Sequence, residues 1–345
     1  MARIPFRKLS WIIGFLLIVI CIGIAFECIQ VVKIAQTQFG LSPLSLYQLA
    51  TDGEAMVRSE HGRVNIVILG VGGGDHEGPD LTDTIIVVSF HLTQKAVSLI
   101  SVPRDVWSET LKDKVNSAYH YGEEEMQDGG LTRSSAIVEE IVGIPIHYAM
   151  VVDFSQFETL IDYIGGIDID VPGAFTDYQY PIAGKETDEC DGDWTYACRY
   201  QTIAFEKGFQ HMGGKQALMY VRSRHAEGEE GTDFARGRRQ QDVIVAIKTK
   251  ILSLEPWYHP EMFTRLYTSF DDATTTNLTV GQLLALGKLG MRVNTEGISK
   301  ISIEPYLWEA PFDQYGRYAL VPKNSFEEIH QFIRTSLEGN TIEGK

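Results

Sequence analysis

Positive charge is scarce in this chain: 30 Lys and Arg face 46 Asp and Glu, for a formal net charge of −16. A protein that holds a duplex needs a basic face for the phosphates, so nucleic acid is excluded as the main partner. Cysteine is scarce too, with 4 in 345 residues. Cys190 and Cys198 have the wrong spacing for a zinc knuckle and no second Cys/His pair nearby. His120, His211 and His225 share no spacing that makes a metal cluster and read as structural or surface residues. No G-x-S-x-G elbow and no evident Ser/His pair occur, which argues against hydrolysis by a serine nucleophile. Repeats, coiled-coil heptads and low-complexity tracts are missing as well. What is present is 44% hydrophobic and 10% aromatic residues, enough for a sizeable core and too many for global disorder.

The chain has one long apolar run. Arg3, Arg7 and Lys8 precede a charge-free stretch from Leu9 to Phe26, broken first by Glu27 and extended by Ile29, Val31 and Val32. That is about the length needed to span a hydrocarbon core as a helix. Positive residues ahead of it place the N-terminus in the cytoplasm and the rest outside. A cleaved signal peptide is the competing reading. No small-x-small site follows the run, and A-F-E-C around Cys28 is a poor lipoprotein site because of Phe26 and Glu27. The expected organisation is a cytoplasmic tail at 1–8, a transmembrane anchor at 9–32 and a juxtamembrane helix and connector at 33–60, broken at Pro43. Cys21 and Cys28 fall in the anchor. In an oxidising space Cys190 and Cys198, which bracket D-G-D-W-T-Y-A, close a small loop as a disulfide or stay a free buried pair.

Beyond the connector, Val- and Ile-rich runs at 64–69, 84–90 and 96–102 read as buried strands. Helical spacing at 133–142 stops at Gly143. A strand at 147–152, a helix at 154–164 and a strand at 167–171 follow. Residues 173–212 are rich in aromatic, Gly and acidic residues without clear periodicity, and read as a functional lid or an ornamented connection. Helices at about 213–220 and 234–253 come next. The tail supplies a helix at 280–291, strands near 299–304 and 317–321, and a helix at 325–337. Strands alternating with helices indicate an α/β layered domain.

Against the acidic background, Arg222, Arg224, Arg236, Arg238 and Arg239 stand within one short stretch. The i, i+2 pair Arg222/Arg224 suits a strand or extended edge with both guanidiniums on one side. Arg236 and Gln240 are a helical turn apart and share a face, whereas Arg238 points away from Arg236. Planar guanidiniums bind phosphate oxygens through paired hydrogen bonds and keep their charge, so a convergent set suits a pyrophosphate. Surface pairing with Glu227, Glu229, Glu230 and Asp233 is the alternative use.

Upstream motifs decide between these. N-I-V-I-L-G-V at 65–71, L-T-D-T-I at 81–85, S-V-P-R-D-V at 101–106, K-V-N-S-A-Y at 114–119, G-I-P-I-H-Y at 143–148, V-V-D-F at 151–154, I-G-G-I-D-I-D-V-P at 164–172 and H-M-G-G-K-Q-A-L-M-Y-V-R-S-R at 211–224 occur in this order. With the R-x-R-R-Q-Q segment, the series resembles the LytR–CpsA–Psr family over roughly residues 60–255, with a tail to about 335. The resemblance implies a layered α-β-α catalytic domain with a central mixed sheet at 61–255 and a C-terminal part at 256–345 packed on it. It implies a membrane-anchored phosphotransferase that moves a glycopolymer from a polyprenyl pyrophosphate carrier to a hydroxyl of peptidoglycan or another glycan acceptor.

The resemblance further implies that Arg104, Arg222, Arg224, Arg236 and Gln240 contact the pyrophosphate, with Lys114 and Arg238 as lesser contributors. Asp83 would hold a magnesium ion, whose hard charge suits carboxylate and phosphate oxygens. Two positions depart from the family pattern: Gly72 stands where a second aspartate ligand is usual, and Leu81 where arginine is usual. Asp75, Glu77 or Asp80 in the following loop are the candidate substitutes. Asp105 and Asp233 either act as general bases or orient arginines, and a carboxylate beside arginines is a poor base. The competing functions are a non-catalytic polyprenyl-pyrophosphate binder and a pyrophosphatase that uses water as acceptor.

Overall fold

The computed structural model describes residues 29–339 apart from 30, 31, 34, 38, 52, 73–79, 186, 254–259, 295 and 296. The expected span at 9–32 lies almost wholly outside the described residues. Among those described, no helix is long and apolar enough to cross a membrane. The chain forms two units, a smaller one that runs to Val57 and includes Thr279–Lys288, and a larger one holding the rest.

In the smaller unit, helix α1 (Pro43–Thr51) begins where a helix was expected to break. Proline lacks only an N–H that the first turn leaves unpaired, and Ser42 Oγ accepts from Ser45 N at 3.0 Å. Lys288 Nζ in turn donates to the Leu49 carbonyl at 2.6 Å.

The larger unit is built on a mixed sheet. Its strands are β1 (Arg63–Val71), β2 (Thr82–His91), β3 (Ala96–Ser101), β4 (Tyr148–Asp153), β9 (Thr274–Thr276) and β10 (Ile298–Ser302), in the order β9-β4-β1-β2-β3-β10. β1 pairs parallel with β4 and β3 parallel with β10; the other pairings are antiparallel. Successive residues of β1 and β2 are apolar because both faces are covered. Val67, Leu69, Ile85 and Val87 join Ile137, Val138 and Ile141 of α3 (Gly129–Val142) and Ile329 and Ile333 of α9 (Phe326–Gly339). On the other face Ile86, Val88 and Leu99 pack with Ile244 and Val245 of α6 (Asp233–Ser253). The result is helix, sheet, helix. Gly143 ends α3 at φ +66°, and any Cβ there would strike His330 of α9, so glycine fixes both the stop and the close approach.

A second core flanks the first. It joins α4 (Phe154–Tyr163), β5 (Ile167–Val171), β6 (Phe175–Pro181), β7 (Tyr200–Phe205), β8 (Gly208–Met212), α5 (Gly214–Arg222) and the inner face of α6. Residues 173–212, expected to be irregular, thus supply strands: β6 and β7 form an antiparallel ribbon, and β8 pairs with β5. Cys190 and Cys198 are joined by a disulfide, with Cα atoms 5.6 Å apart, in the excursion between β6 and β7. Helices α2 (Ala118–Glu125) and α7 (Pro260–Ala273) are further additions to the expected elements, and α8 (Val280–Met291) is the helix expected at 280–291. In the tail, Leu320–Pro322 pairs with Leu307–Glu309 rather than joining the main sheet.

Candidate active site

β1 and β3 end, and β2 begins, at the same edge of the sheet, the place where open α/β sheets present ligands. A cavity of about 240 Å³ opens there, and its wall includes Asp83, Arg104, Arg222, Arg224, Arg236 and Gln240. Segments more than a hundred residues apart in sequence converge on it. Gly70 makes room for this wall, since a Cβ at that position would lie 2.7 Å from the ring of Phe154, another lining residue.

Each arginine is held differently. Arg104 Nη1 bonds Asp83 Oδ1, and its Nε donates to Asp105 Oδ2 at 3.3 Å. Lys114 Nζ bonds the other Asp105 oxygen at 2.6 Å. Asp105 therefore orients Arg104, and Lys114 supports Asp105 instead of lining the cavity. Arg236, 5% exposed, pairs with Asp233 at 3.0 Å. Gln240 shares the Arg236 face of α6 and donates to Thr84 Oγ1 at 2.7 Å. Arg222 lies against the Phe154 ring, 5.8 Å from its centroid. Neither Arg222 nor Arg224 has a carboxylate within ion-pair distance among the described residues.

Arg222 and Arg224 do not sit on a strand, contrary to the i, i+2 expectation. Arg222 is the last residue of α5, and the chain turns to extended backbone at Ser223 (φ −55°, ψ 132°). The helix carries Tyr220 and Val221 into the second core, and the turn then returns Arg224 to the cavity. Arg238 is likewise placed apart from the main cavity. It projects from α6 with its side chain 56% exposed and faces Glu230 at 3.6 Å. Arg239 is buried and structural: it donates to the carbonyls of Tyr220 (2.9 Å), Glu230 (3.0 Å) and Ser223 (2.5 Å) and to Glu230 Oε2 (2.8 Å). Its guanidinium also lies 4.7 Å from the Phe175 ring centroid.

Asp177 escaped the sequence argument. It is fully buried on β6, and Oδ2 accepts from Ser223 Oγ (2.8 Å), Arg224 N (3.2 Å) and His225 N (3.2 Å), while Oδ1 accepts from Gln179 N (2.9 Å). The available signal was alternation: Phe175 and Asp177 lie on the inward face of one strand. His225, read as a surface residue, does remain exposed, yet it lines the cavity mouth.

The electrostatics favour an anion. Burial alone would raise the Asp83 pKa, but Arg104, Arg236 and Arg224 outweigh it and hold the carboxyl below its usual range. Burial works against the Arg104 charge, yet Asp83 and Asp105 raise its pKa above the ordinary value. For Arg236, burial and the neighbouring Arg104 and Arg224 prevail over Asp233 and Asp83, so its pKa is lowered. A buried guanidinium in that position is under-compensated, and a phosphate oxygen would relieve it.

A LytR–CpsA–Psr family model matches residues 38–331 of the chain. The chain belongs to the LytR–CpsA–Psr family. A curated relative, the polyisoprenyl-teichoic acid–peptidoglycan teichoic acid transferase TagU of Bacillus mycoides (strain KBAB4), is 26% identical over 289 residues, covering 82% of this chain and 83% of its own. The crystal structure of B. subtilis TagV resembles the fold with a TM-score of 0.57 at 24% identity, covering 81% of this chain and 99% of that one. A structure of TagT bound to LIIa-WTA does so with a TM-score of 0.55 at 20% identity, covering 81% and 91%.

The two departures from the LytR–CpsA–Psr pattern, Gly72 and Leu81, both stand on the cavity wall. Of the lining carboxylates, Asp177 spends both oxygens on four donors, which leaves Asp83. Asp80 lies 3.9 Å from His120 and does not line the cavity, and Asp75 and Glu77 lie outside the described residues. A single carboxylate, one oxygen of which already accepts from Arg104, makes a weak magnesium site, although magnesium keeps several waters and takes further oxygens from a bound phosphate.

Proposed function

We propose that this protein is a membrane-anchored phosphotransferase that moves a glycopolymer from a polyprenyl pyrophosphate to a hydroxyl of a glycan acceptor. Peptidoglycan is the acceptor suggested by the names of its relatives. The observation that carries the reading is the convergence of Arg104, Arg222, Arg224 and Arg236 on one cavity. Arg222 and Arg224 have no ion-pair partner among the described residues. The anchor at 9–32 would hold the enzyme beside its lipid substrate, with the cavity outside the cytoplasmic membrane.

The residues divide the work. Arg222 and Arg224 grip the pyrophosphate oxygens, and Arg236 and Arg104 bear on the charge that builds on the bridging oxygen. The acceptor oxygen attacks the sugar-proximal phosphorus, the bond from that phosphorus to the bridging oxygen breaks, and polyprenyl phosphate leaves. The acceptor's proton passes to solvent or a nearby base. Magnesium held at Asp83 would supply further neutralisation of phosphate charge. Asp105 holds Arg104 and Asp233 holds Arg236, which suits these two carboxylates to orientation.

Incubating the full chain with labelled lipid-linked oligosaccharide, a glycan acceptor and magnesium tests this reading. Glycan–phosphate product is expected. Free phosphorylated sugar would instead mark a pyrophosphatase. Tight binding without turnover would mark a binder, the reading that Gly72 in place of a metal ligand would favour.

A further inference from the structure

The excursion that follows the cavity carries four exposed aromatic side chains: Tyr178, Trp194, Tyr196 and Tyr200, at 56%, 84%, 44% and 37% exposure. They are not placed at random. The β6–β7 ribbon has one buried face, with Phe175, Asp177, Ile203 and Phe205, and one solvent face, with Tyr178 and Tyr200. Tyr200 pairs in register with Pro181, which lines the cavity. The aromatic face therefore begins at the cavity rim. From Tyr200 the chain leads back through Arg199, whose guanidinium sits 4.0 Å over the Tyr196 ring, to Trp194.

Trp194 and Tyr196 lie inside the loop that the Cys190–Cys198 disulfide closes. Asp193 Oδ1 fixes its tip by accepting from Thr195 N at 3.0 Å and Thr195 Oγ1 at 2.8 Å. Displaying so large an apolar ring on a covalently closed loop has a hydration cost but lowers the cost of ordering it around a ligand. Charge selects the ligand. Asp188, Glu189, Asp191 and Asp193 outnumber Lys185 and Arg199 around the loop, and this acidic excess would repel anionic lipid headgroups and phosphate-rich polymers. Carboxylates do accept hydrogen bonds from hydroxyls, and aromatic faces accept the weakly positive C–H face of a pyranose.

We propose that this aromatic ribbon and loop form the docking surface for the acceptor, a glycan of uncharged pyranose rings, and lead one of its hydroxyls to the cavity rim at Pro181. The proposal rests on reading the cavity as the pyrophosphate site. It assigns the acceptor to one side of that site and separates it from the charged donor.

The test measures three affinities of the full chain in detergent: for a β-1,4-linked N-acetylglucosamine hexasaccharide, for farnesyl pyrophosphate, and for phosphatidylglycerol vesicles. Trp194→Ala, and Tyr196→Ala combined with Tyr200→Ala, should each weaken hexasaccharide binding about tenfold or more. Farnesyl pyrophosphate affinity should stay within about twofold, and reduction of the disulfide should weaken hexasaccharide binding alone. Hexasaccharide binding that is absent in the unsubstituted chain, or unchanged in the variants, overturns the proposal. Loss of vesicle binding in the variants, with hexasaccharide binding intact, makes the surface a membrane contact and also overturns it. Absence of farnesyl pyrophosphate binding in the unsubstituted chain is a separate failure, that of the cavity reading.

Discussion

Ser223 Oγ donates a 2.8 Å hydrogen bond to Asp177 Oδ2, so the bend between Arg222 and Arg224 is tied to a buried carboxylate on another strand. Replacing Asp177 with Asn keeps the shape but turns an NH₂ toward donors that need an acceptor. A loss of about 1–3 kcal/mol of stability is expected, with weaker pyrophosphate binding. Burial raises the Asp177 pKa, but the bonds from Ser223, Gln179, His225 and Arg224 prevail and lower it. The unfolded chain therefore takes up a proton first as pH falls. This contribution is complete above pH about 4 and is lost as pH drops through the lower folded value. Thermal midpoints from pH 7 to pH 3 should fall less steeply in Asp177→Asn than in the unsubstituted protein.

Arg239 also grips this bend, through the Tyr220 and Ser223 carbonyls. Removing it leaves three carbonyls without their side-chain donor and Glu230 with Arg238 alone, at a cost of about 1–3 kcal/mol for each acceptor left buried and unpaired. Arg239→Met should lower the unfolding midpoint sharply, while Arg222→Ala should leave it nearly unchanged. Calorimetry of both variants distinguishes a scaffold arginine from a ligand arginine, and equal midpoints would contradict the assignment.

Asp83 is the only described carboxylate on the wall with a role left open for a cation. Asp83→Ala should abolish magnesium-dependent transfer. One of Asp75, Glu77 or Asp80 should show a large partial loss if the loop supplies the second ligand. Turnover assayed with magnesium and again with chelator checks this; full activity of Asp83→Ala in either condition removes the metal role.

The proposed anchor at 9–32 carries a topological expectation. A reporter enzyme that works only in the cytoplasm, fused after Lys345, should be inactive in a host bacterium. A reporter that works only outside should be active in the same position. The reverse pattern would put the cavity on the wrong side of the membrane.

The central strands were legible because both of their faces are buried, which leaves continuous Val and Ile runs such as Ile66–Leu69 and Ile85–Val88. Arg236 and Gln240 were legible for a similar reason, as helical spacing sets their shared face. The β6–β7 ribbon was not. One of its faces is exposed, its inner face carries a charged Asp177, and the irregular register near Asp177 and Tyr180 interrupts the alternation. Spacing alone also misplaced Arg222 and Arg224, because a helix end followed by an extended residue brings i and i+2 to one wall just as a strand does. Helix α7 has an apolar series at Phe263, Leu266, Tyr267 and Phe270, a usable signal diluted by the polar residues between them. The burial of Arg239, with carbonyl partners at the end of α5 and at Glu230, has no counterpart in any local pattern.

The central claim is that the converging arginines bind a pyrophosphate. The direct measurement is the affinity of Arg222→Ala and Arg224→Lys for farnesyl pyrophosphate, taken alongside their thermal midpoints. A charged hydrogen bond to phosphate contributes about 1.5–3 kcal/mol, so Arg222→Ala should bind about tenfold more weakly or worse. Arg224→Lys keeps the charge but loses the planar fork, and should show a smaller loss. Both should unfold close to the midpoint of the unsubstituted protein. Unchanged affinity in both variants would contradict the account.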